Sequence, residues 1–194
     1  MNLIVLTAPS GAGKTTIARR LMAEVPGLRF SVSATTRPPR EGERDGVDYF
    51  FLSLGEFNDR IEADGFVEFE EVYPGRFYGT LKDQLEQAAI DAADGGGGIV
   101  LDIDVKGALN VKRLYGADAL TLFIAPPSLD ALADRLHARG TESEDRVRVR
   151  LERAEMEMDH AKHVDRVIVN DDLDVAVDET VAAVRAFLMR HEAA

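Results

Sequence analysis

The sequence predicts an α/β fold, a parallel sheet core flanked on both faces by helices. Three features lead there. Apolar strand-like runs and amphipathic helical stretches alternate along the whole chain. The runs Leu3-Ile4-Val5-Leu6, Ile99-Val100-Leu101 and Leu120-Thr121-Leu122-Phe123-Ile124 are apolar almost throughout, as strands covered on both faces must be. The first run leads directly through the glycine-bearing turn A-P-S-G-A-G-K-T (8–15) into a helix.

After the first strand, Thr15 to Val25 reads as that helix: Ile17, Ala18, Leu21, Met22 and Val25 share one face, with Arg19, Arg20 and Glu24 turned outward. Phe30-Ser31-Val32-Ser33 is strand-like. Ala34 to Gly46 is a polar loop, because Pro38 and Pro39 exclude both a helix interior and a central strand. Tyr49 to Leu52 returns to strand, and Leu54 to Ala63 is a helix that Gly65 ends. Phe66 to Val72 alternates apolar and acidic residues like a half-exposed strand, and Leu81 to Ala93 is an amphipathic helix. The four glycines Gly95 to Gly98 precede a strand and lack a Lys-Thr pair, so they read as a flexible connector. Ile99 to Leu101 closes on Asp102-Ile103-Asp104. Leu120 to Ile124 and Arg166 to Val169 are further strands, with helices at about 129–138, 144–161 and 175–190.

A chain of 194 residues suits one α/β domain with small inserts. Apolar residues at 45% and charged residues at 30% place it among soluble globular proteins. The absence of cysteine excludes disulfides and thiolate metal sites and suits a cytoplasmic location. No apolar run reaches membrane-spanning length, and a first strand that runs straight into the glycine turn fits no signal peptide. The net charge is −12, and the only lysines are Lys14, Lys82, Lys106, Lys112 and Lys162. Such a surface argues against nucleic-acid or anionic-membrane partners. It points to adaptation to high salt, with ordinary variation as the competing reading.

The 8–15 turn carries chemistry. Gly11 and Gly13 let the backbone curl so that successive N–H groups converge on one anion. The positive end of the following helix points at the same spot. Lys14 can reach β- and γ-phosphates, and the Thr15 hydroxyl can ligate Mg²⁺. Ala8 stands where the usual pattern has glycine, which the turn tolerates if that residue keeps a negative φ. The expected ATP seat is therefore Ala8, Pro9, Ser10, Gly11, Ala12, Gly13, Lys14, Thr15 and Thr16, in a P-loop NTPase fold. A second phosphate site is expected where Arg37 and Arg40 flank two prolines, with Arg44 nearby, since arginine forks grip phosphate bidentately.

With these motifs stand F-S-V-S-A-T-T-R-P-P-R-E-G-E (30–43), D-Y-F-F (48–51), F-Y-G-T (77–80), V-L-D-I-D-V-K-G (100–107), F-I-A-P-P-S (123–128), R-G-T-E-S-E (139–144) and V-N-D-D-L-D (169–174). Together they make the chain resemble the guanylate kinase family over nearly its whole length. The resemblance implies Mg²⁺-dependent transfer of the ATP γ-phosphoryl group to GMP, in purine nucleotide metabolism. It implies that Arg37, Arg40, Tyr49 and Tyr78 hold the GMP phosphate, and that Ser33, Glu68, Thr80 and Asp104 read the guanine. Asp102 becomes a Walker-B-type carboxylate acting on Mg²⁺ through water. Arg135, Arg139 and Arg150 approach the donor phosphates, and Asn170 contacts the donor adenine. The implied organisation is a core of residues 1–32, 81–138 and 151–194, a GMP-binding insert at about 33–80, and a short lid at about 139–150. The oligomeric state stays open between monomer and homodimer.

Guanine offers N1–H and N2–H₂ as donors and O6 as acceptor, which a carboxylate and a hydroxyl match. Adenine would leave that carboxylate unpaired. From the strand pattern alone, however, Glu68 reads as a solvent-facing carboxylate beside Glu70 and Glu71. Two rival functions are a related kinase with another acceptor and a non-catalytic phosphopeptide-binding module. The intact Lys14 and Thr15 argue against the second. Asp102 and Asp104 share a strand face and could be read as a metal pair. Arg146 and Arg148 read as salt-bridged surface, the four histidines show no metal-ligand spacing, and Met156 and Met158 read as packing. The stretch between Glu68 and Tyr78 is one residue longer than the family pattern and contains Pro74, and Phe77 stands where tyrosine is common.

Overall fold

A computed structural model describes residues 1–93, 97–138 and 144–192. The central sheet has the order β2-β7-β1-β8-β9, built from β1 (Leu3–Thr7), β2 (Arg29–Phe30), β7 (Ile99–Asp102), β8 (Ala119–Ala125) and β9 (Arg166–Val169), with every pairing parallel. The sheet is buried on both sides because β1 sends alternate side chains to two cores. Ile4 and Leu6 meet Ile17 and Leu21 of α1 (Lys14–Glu24) and Val177 and Val184 of α7 (Leu173–Glu192). Leu3 and Val5 meet Leu85 of α3 (Lys82–Ala93) and Ala108 and Val111 of α4 (Val105–Tyr115). Each fully buried branched side chain contributes about 1.5–3 kcal/mol. The remaining helices, α5 (Leu129–Ala138) and α6 (Glu144–His160), pack on each other through Leu132, Leu136, Val147 and Ala154.

A second sheet, ordered β4-β3-β6-β5, lies within residues 34–81: β3 (Ala34–Thr35), β4 (Phe50–Phe51), β5 (Phe66–Tyr73) and β6 (Arg76–Leu81). It closes over Phe57 of α2 (Leu54–Glu62), which stacks on Phe66 with ring centroids 4.4 Å apart. Ser53 and Glu56 form a reciprocal capping box at the start of α2.

Several elements differ from the sequence-based expectation. The strand-like run at 30–33 divides between sheets: Phe30 pairs with β7, whereas Ala34 and Thr35 pair with β4 and β6. The expected loop from Ala34 thus opens on a short strand. The turn after α2 is made by Asp64 at φ +53°, with Gly65 donating to the Arg60 carbonyl at 2.8 Å. Helix α4 is an addition to the expected elements: Val105, Ala108 and Val111 keep helical spacing, but Gly107, a poor helix former, sits in its first turn. Strand β6 carries no strand pattern in the sequence because Gly79 lies inside it; a Cβ there would meet the Phe66 ring at 2.8 Å. Of the glycine run, Gly95 and Gly96 lie outside the described residues, while the other two are packing positions. A Cβ on Gly97 would fall 2.0 Å from the Gly27 carbonyl oxygen, and one on Gly98 2.5 Å from Ile4.

This topology fixes where a ligand can sit. β1 has β7 on one side and β8 on the other, and the carboxyl ends of all three open onto the same crevice.

Candidate functional site

The turn leaving β1 holds Gly11 at φ +99° and Gly13 at φ +98°, both in the left-handed region. Side chains are also shut out by crowding: a Cβ on Gly11 would approach Leu136 at 2.9 Å, and one on Gly13 would approach the Asn170 amide nitrogen at 2.3 Å. Among the described residues Asp64 is the one non-glycine with positive φ, so Ala8 has the negative φ that makes alanine acceptable there. Gly13 is the N-cap of α1 and supplies no side chain, which leaves the amide-rich helix start to an anion.

A cavity of about 1090 Å³ lies over this turn. Its wall includes Ala8, Pro9, Ser10, Gly11, Gly13, Lys14, Thr15 and Thr16 on one side and Ser33, Arg40, Tyr49, Glu68, Tyr78 and Asp104 on the other, with Asp102 and Arg150 also on it. Ala12, Arg37, Thr80 and Asn170 are buried and Arg135 is half-buried, and none of the five is on that wall. Arg139 lies outside the described residues.

Lys14 is ion-paired with Asp102 and donates to the Ile103 carbonyl at 3.1 Å. Burial would lower its pKa, but Asp102, helped by Tyr49 and Glu157, outweighs that and holds the ammonium above the ordinary lysine range. Asp104 turns to another task, capping α4 by accepting from Gly107 N at 2.8 Å. The two aspartates thus have separate partners, and among the described residues no cluster of three or more potential metal ligands occurs.

Behind the turn, Asn170 donates from Nδ2 to the Ala12 carbonyl at 2.7 Å and receives Arg135 Nη2 on its own carbonyl at 2.8 Å. Arg150 reaches the Ser10 hydroxyl from α6.

Across the cavity, Glu68 is buried, which corrects its reading as a solvent-facing strand carboxylate. A bulge in β5 sets it opposite Thr80, whose hydroxyl donates to Glu68 Oε1 at 2.6 Å. Its other oxygen lies where a Cβ on Gly107 would come within 2.6 Å. Burial, with Asp104 and Glu70 adding repulsion, pushes its pKa up to about 7 against the opposing bond from Thr80. Tyr49 is raised for the same first reason, burial, with Asp102 adding to it.

Arg37 is buried beneath the cavity wall, with its guanidinium 4.8 Å from the Tyr49 ring centroid. It forks onto Glu43 at 2.6 and 2.7 Å, and Glu43 also accepts from Arg40 N at 2.7 Å. The Arg37 bond holds the Glu43 carboxyl down at about 2, and Arg37 is raised in turn.

Three residues that matter here, Glu43, Arg153 and Glu157, were not singled out from the sequence, and a fourth was read only as surface. Glu43 organises both arginines. Arg146, read as surface, lies on the cavity wall, as do Arg153 and Glu157. The i,i+4 spacing of Arg153 and Glu157 was the available signal, but it is shared by any exposed helix pair.

The family model described as guanylate kinase matches residues 1–188. The chain is 59% identical to a guanylate kinase of Salinibacter ruber over 187 residues, covering 96% of this chain and 97% of that protein. It is 52% identical to a guanylate kinase of Chlorobaculum tepidum, covering 96% and 93% of the two chains. The crystal structure of guanylate kinase from Anaplasma phagocytophilum is similar at a TM-score of 0.77 and 31% identity, over 97% of this chain and 86% of that one.

Proposed function

The chain belongs to the guanylate kinase family, and from that premise we propose which of its residues move the γ-phosphoryl group of ATP to GMP. The observation that carries the assignment is the buried Glu68, backed by Thr80 and given room by Gly107, facing the same cavity as Lys14.

Glu68 accepts the N1–H and N2–H of guanine, while Ser33 and Asp104 flank the base edge. Thr80 acts from behind, fixing the carboxylate. An adenine ring would leave a buried carboxylate unpaired, which discriminates by ~10⁴ or more. Arg40, Tyr49 and Tyr78 hold the acceptor phosphate, with Arg37 supporting it from beneath the wall. The 8–16 turn cradles the donor phosphates, Lys14 neutralises charge that grows on the transferring group, and Arg135, Arg139 and Arg150 approach from the lid side. Asn170 carries the donor end by bracing the turn. No side chain need remove a proton, because a GMP phosphate oxygen is already anionic at neutral pH.

The Thr15 hydroxyl at the start of α1 and the Asp102 carboxylate line the cavity and are hard oxygen donors of the kind Mg²⁺ takes, so Thr15 would bind the ion directly and Asp102 would act on it through water. With ATP in place, an Mg²⁺ ion held by these residues would supply Lewis-acid neutralisation of the phosphates. Residues 33–80 form the acceptor insert and 139–150 the lid, on a core of the remaining residues. The strongly acidic composition supports small-molecule substrates over nucleic acid, and the lack of cysteine supports the cytoplasm. Among the described residues no helix is long and apolar enough to cross a membrane.

A coupled ADP-release assay with Mg·ATP tests the reading, comparing GMP, AMP, UMP, CMP and dTMP at low and molar KCl. Turnover confined to GMP supports the base-reading set. Equal turnover with AMP overturns it.

A further inference from the structure

Arg153 lies on α6, on the lid side of the cavity, yet its contacts reach well beyond that helix. Its Nε donates to Glu157 Oε1 at 2.7 Å, and Nη1 donates to the main-chain carbonyl of Val72 on β5. Nη2 stands 3.7 Å from Asp104 Oδ2, and the guanidinium lies 5.4 Å from the Tyr73 ring centroid. One side chain thus joins helix α6, the β5–β6 hairpin and the turn after β7. The planar fork suits this, because it presents donors in several fixed directions at once.

The hairpin is shaped to meet it. Glu71 pairs with Phe77 and Tyr73 with Arg76, so Val72 is an extra residue bulged out of β5. The turn beyond is Pro74-Gly75, with Gly75 at φ +72°, the order a tight turn with left-handed second residue demands. A bulge redirects a carbonyl out of the ladder, and here the redirected carbonyl is the one Arg153 takes.

We propose that Arg153 is a positioning residue for the acceptor site: a latch from helix α6 that holds the bulged hairpin and Asp104 in the arrangement that binds GMP. The proposal rests on the acceptor seat assigned above to Glu68, Tyr78 and Asp104. Glu68 and Tyr78 lie on the two strands of the latched hairpin, so freedom at its tip becomes freedom at both. Arg153 also separates two carboxylates, Glu157 and Asp104, that would otherwise face each other across the cavity wall.

The test is steady-state kinetics on Arg153→Met, Arg153→Lys, Tyr73→Leu and the Arg153→Met/Tyr73→Leu double variant, with Glu68→Gln alongside. Circular dichroism and melting establish that each variant is folded. Arg153→Met is expected to raise KM for GMP about tenfold with KM for ATP changed less than about twofold, a split that general destabilisation does not produce. Lysine keeps the charge but loses the fork, so Arg153→Lys restores part of the loss. The double variant is expected to be little worse than Arg153→Met, since both changes remove one coupled contact. Unchanged KM for GMP in Arg153→Met, while Glu68→Gln raises it, overturns the latch and leaves the seat standing; no change in either variant overturns both. Should Arg153→Met fail to fold, Tyr73→Leu carries the test, with about a threefold rise expected from a lost cation–π contact and no change overturning the proposal.

Discussion

Thr80 donates its hydroxyl proton to Glu68 Oε1 across 2.6 Å inside the acceptor wall, and so fixes the carboxylate on one side while leaving its second oxygen toward Gly107. The hydrogen bond favours the ionised form, burial favours the protonated one, and burial wins, with the midpoint at about 7.

On the guanine seat proposed for Glu68, that midpoint should make GMP affinity depend on pH in the physiological range. In that proposed seat guanine donates to the ionised carboxylate, so KM for GMP should fall as pH rises from 6 through 7 and level off above 8. Initial rates against GMP at fixed Mg·ATP measure this. Glu68→Gln should flatten the profile at a uniformly high KM.

The same group bears on stability with the opposite sign. In the unfolded chain a glutamate loses its proton near 4.5, whereas folded Glu68 keeps it to about 7. Between those values the folded state binds more protons, so stability falls as pH rises from about 4.5 to about 7. Glu68→Gln has no such penalty and should be more stable than wild type at pH 8 by on the order of 2 kcal/mol, read from urea unfolding.

Lys14→Ala removes the cation at the donor phosphates and releases Asp102. We expect kcat to drop by at least about 10³ with native circular dichroism, since preorganised charge at a transferring group is commonly worth that much. Near-normal turnover would contradict the assigned donor role.

Glu43→Gln should act through Arg37. It loses the charge that holds the guanidinium fork, so KM for GMP is expected to rise about three- to tenfold while KM for ATP stays within about twofold. The Glu43 carboxyl titrates at about 2 when folded, below its ordinary 4.5. Its contribution to stability is therefore complete above pH 4.5 and is lost as pH falls toward 2.

Asn170→Ala should show the complementary pattern, raising KM for ATP and not for GMP, because its Nδ2 braces the Ala12 carbonyl at the back of the phosphate turn. A lost buried hydrogen bond costs about 1–3 kcal/mol, visible in urea unfolding. Gly13→Ala should be more damaging, since its φ of +98° and the 2.3 Å approach to Asn170 both exclude a methyl group.

The inner strands β1, β7 and β8 were legible because they are buried on both faces and their runs are almost wholly apolar. The phosphate turn was legible because its chemistry is local, eight consecutive residues with fixed jobs. Glu68 was misread by pattern because what buries it is non-local: a bulge that brings Thr80 opposite and a missing side chain at Gly107. Gly107 also concealed α4, so one glycine that serves the site hid the helix carrying it. Arg153 and Glu157 looked like an ordinary helix-surface pair, and Val72, a partner on the other side of the cavity, leaves no trace in spacing.

The pairing of Lys14 with Asp102 bears on how a chain of net charge −12 captures a polyanion. The ammonium arrives already neutralised, so at that point the phosphate turn attracts through oriented peptide dipoles rather than through free positive charge. Dissolved ions screen a long-range field within about 8 Å at physiological strength, but they reach a contact dipole only by occupying its place. Attraction at this turn is consequently short-range, set by contact between an anion and the oriented amides at the start of α1.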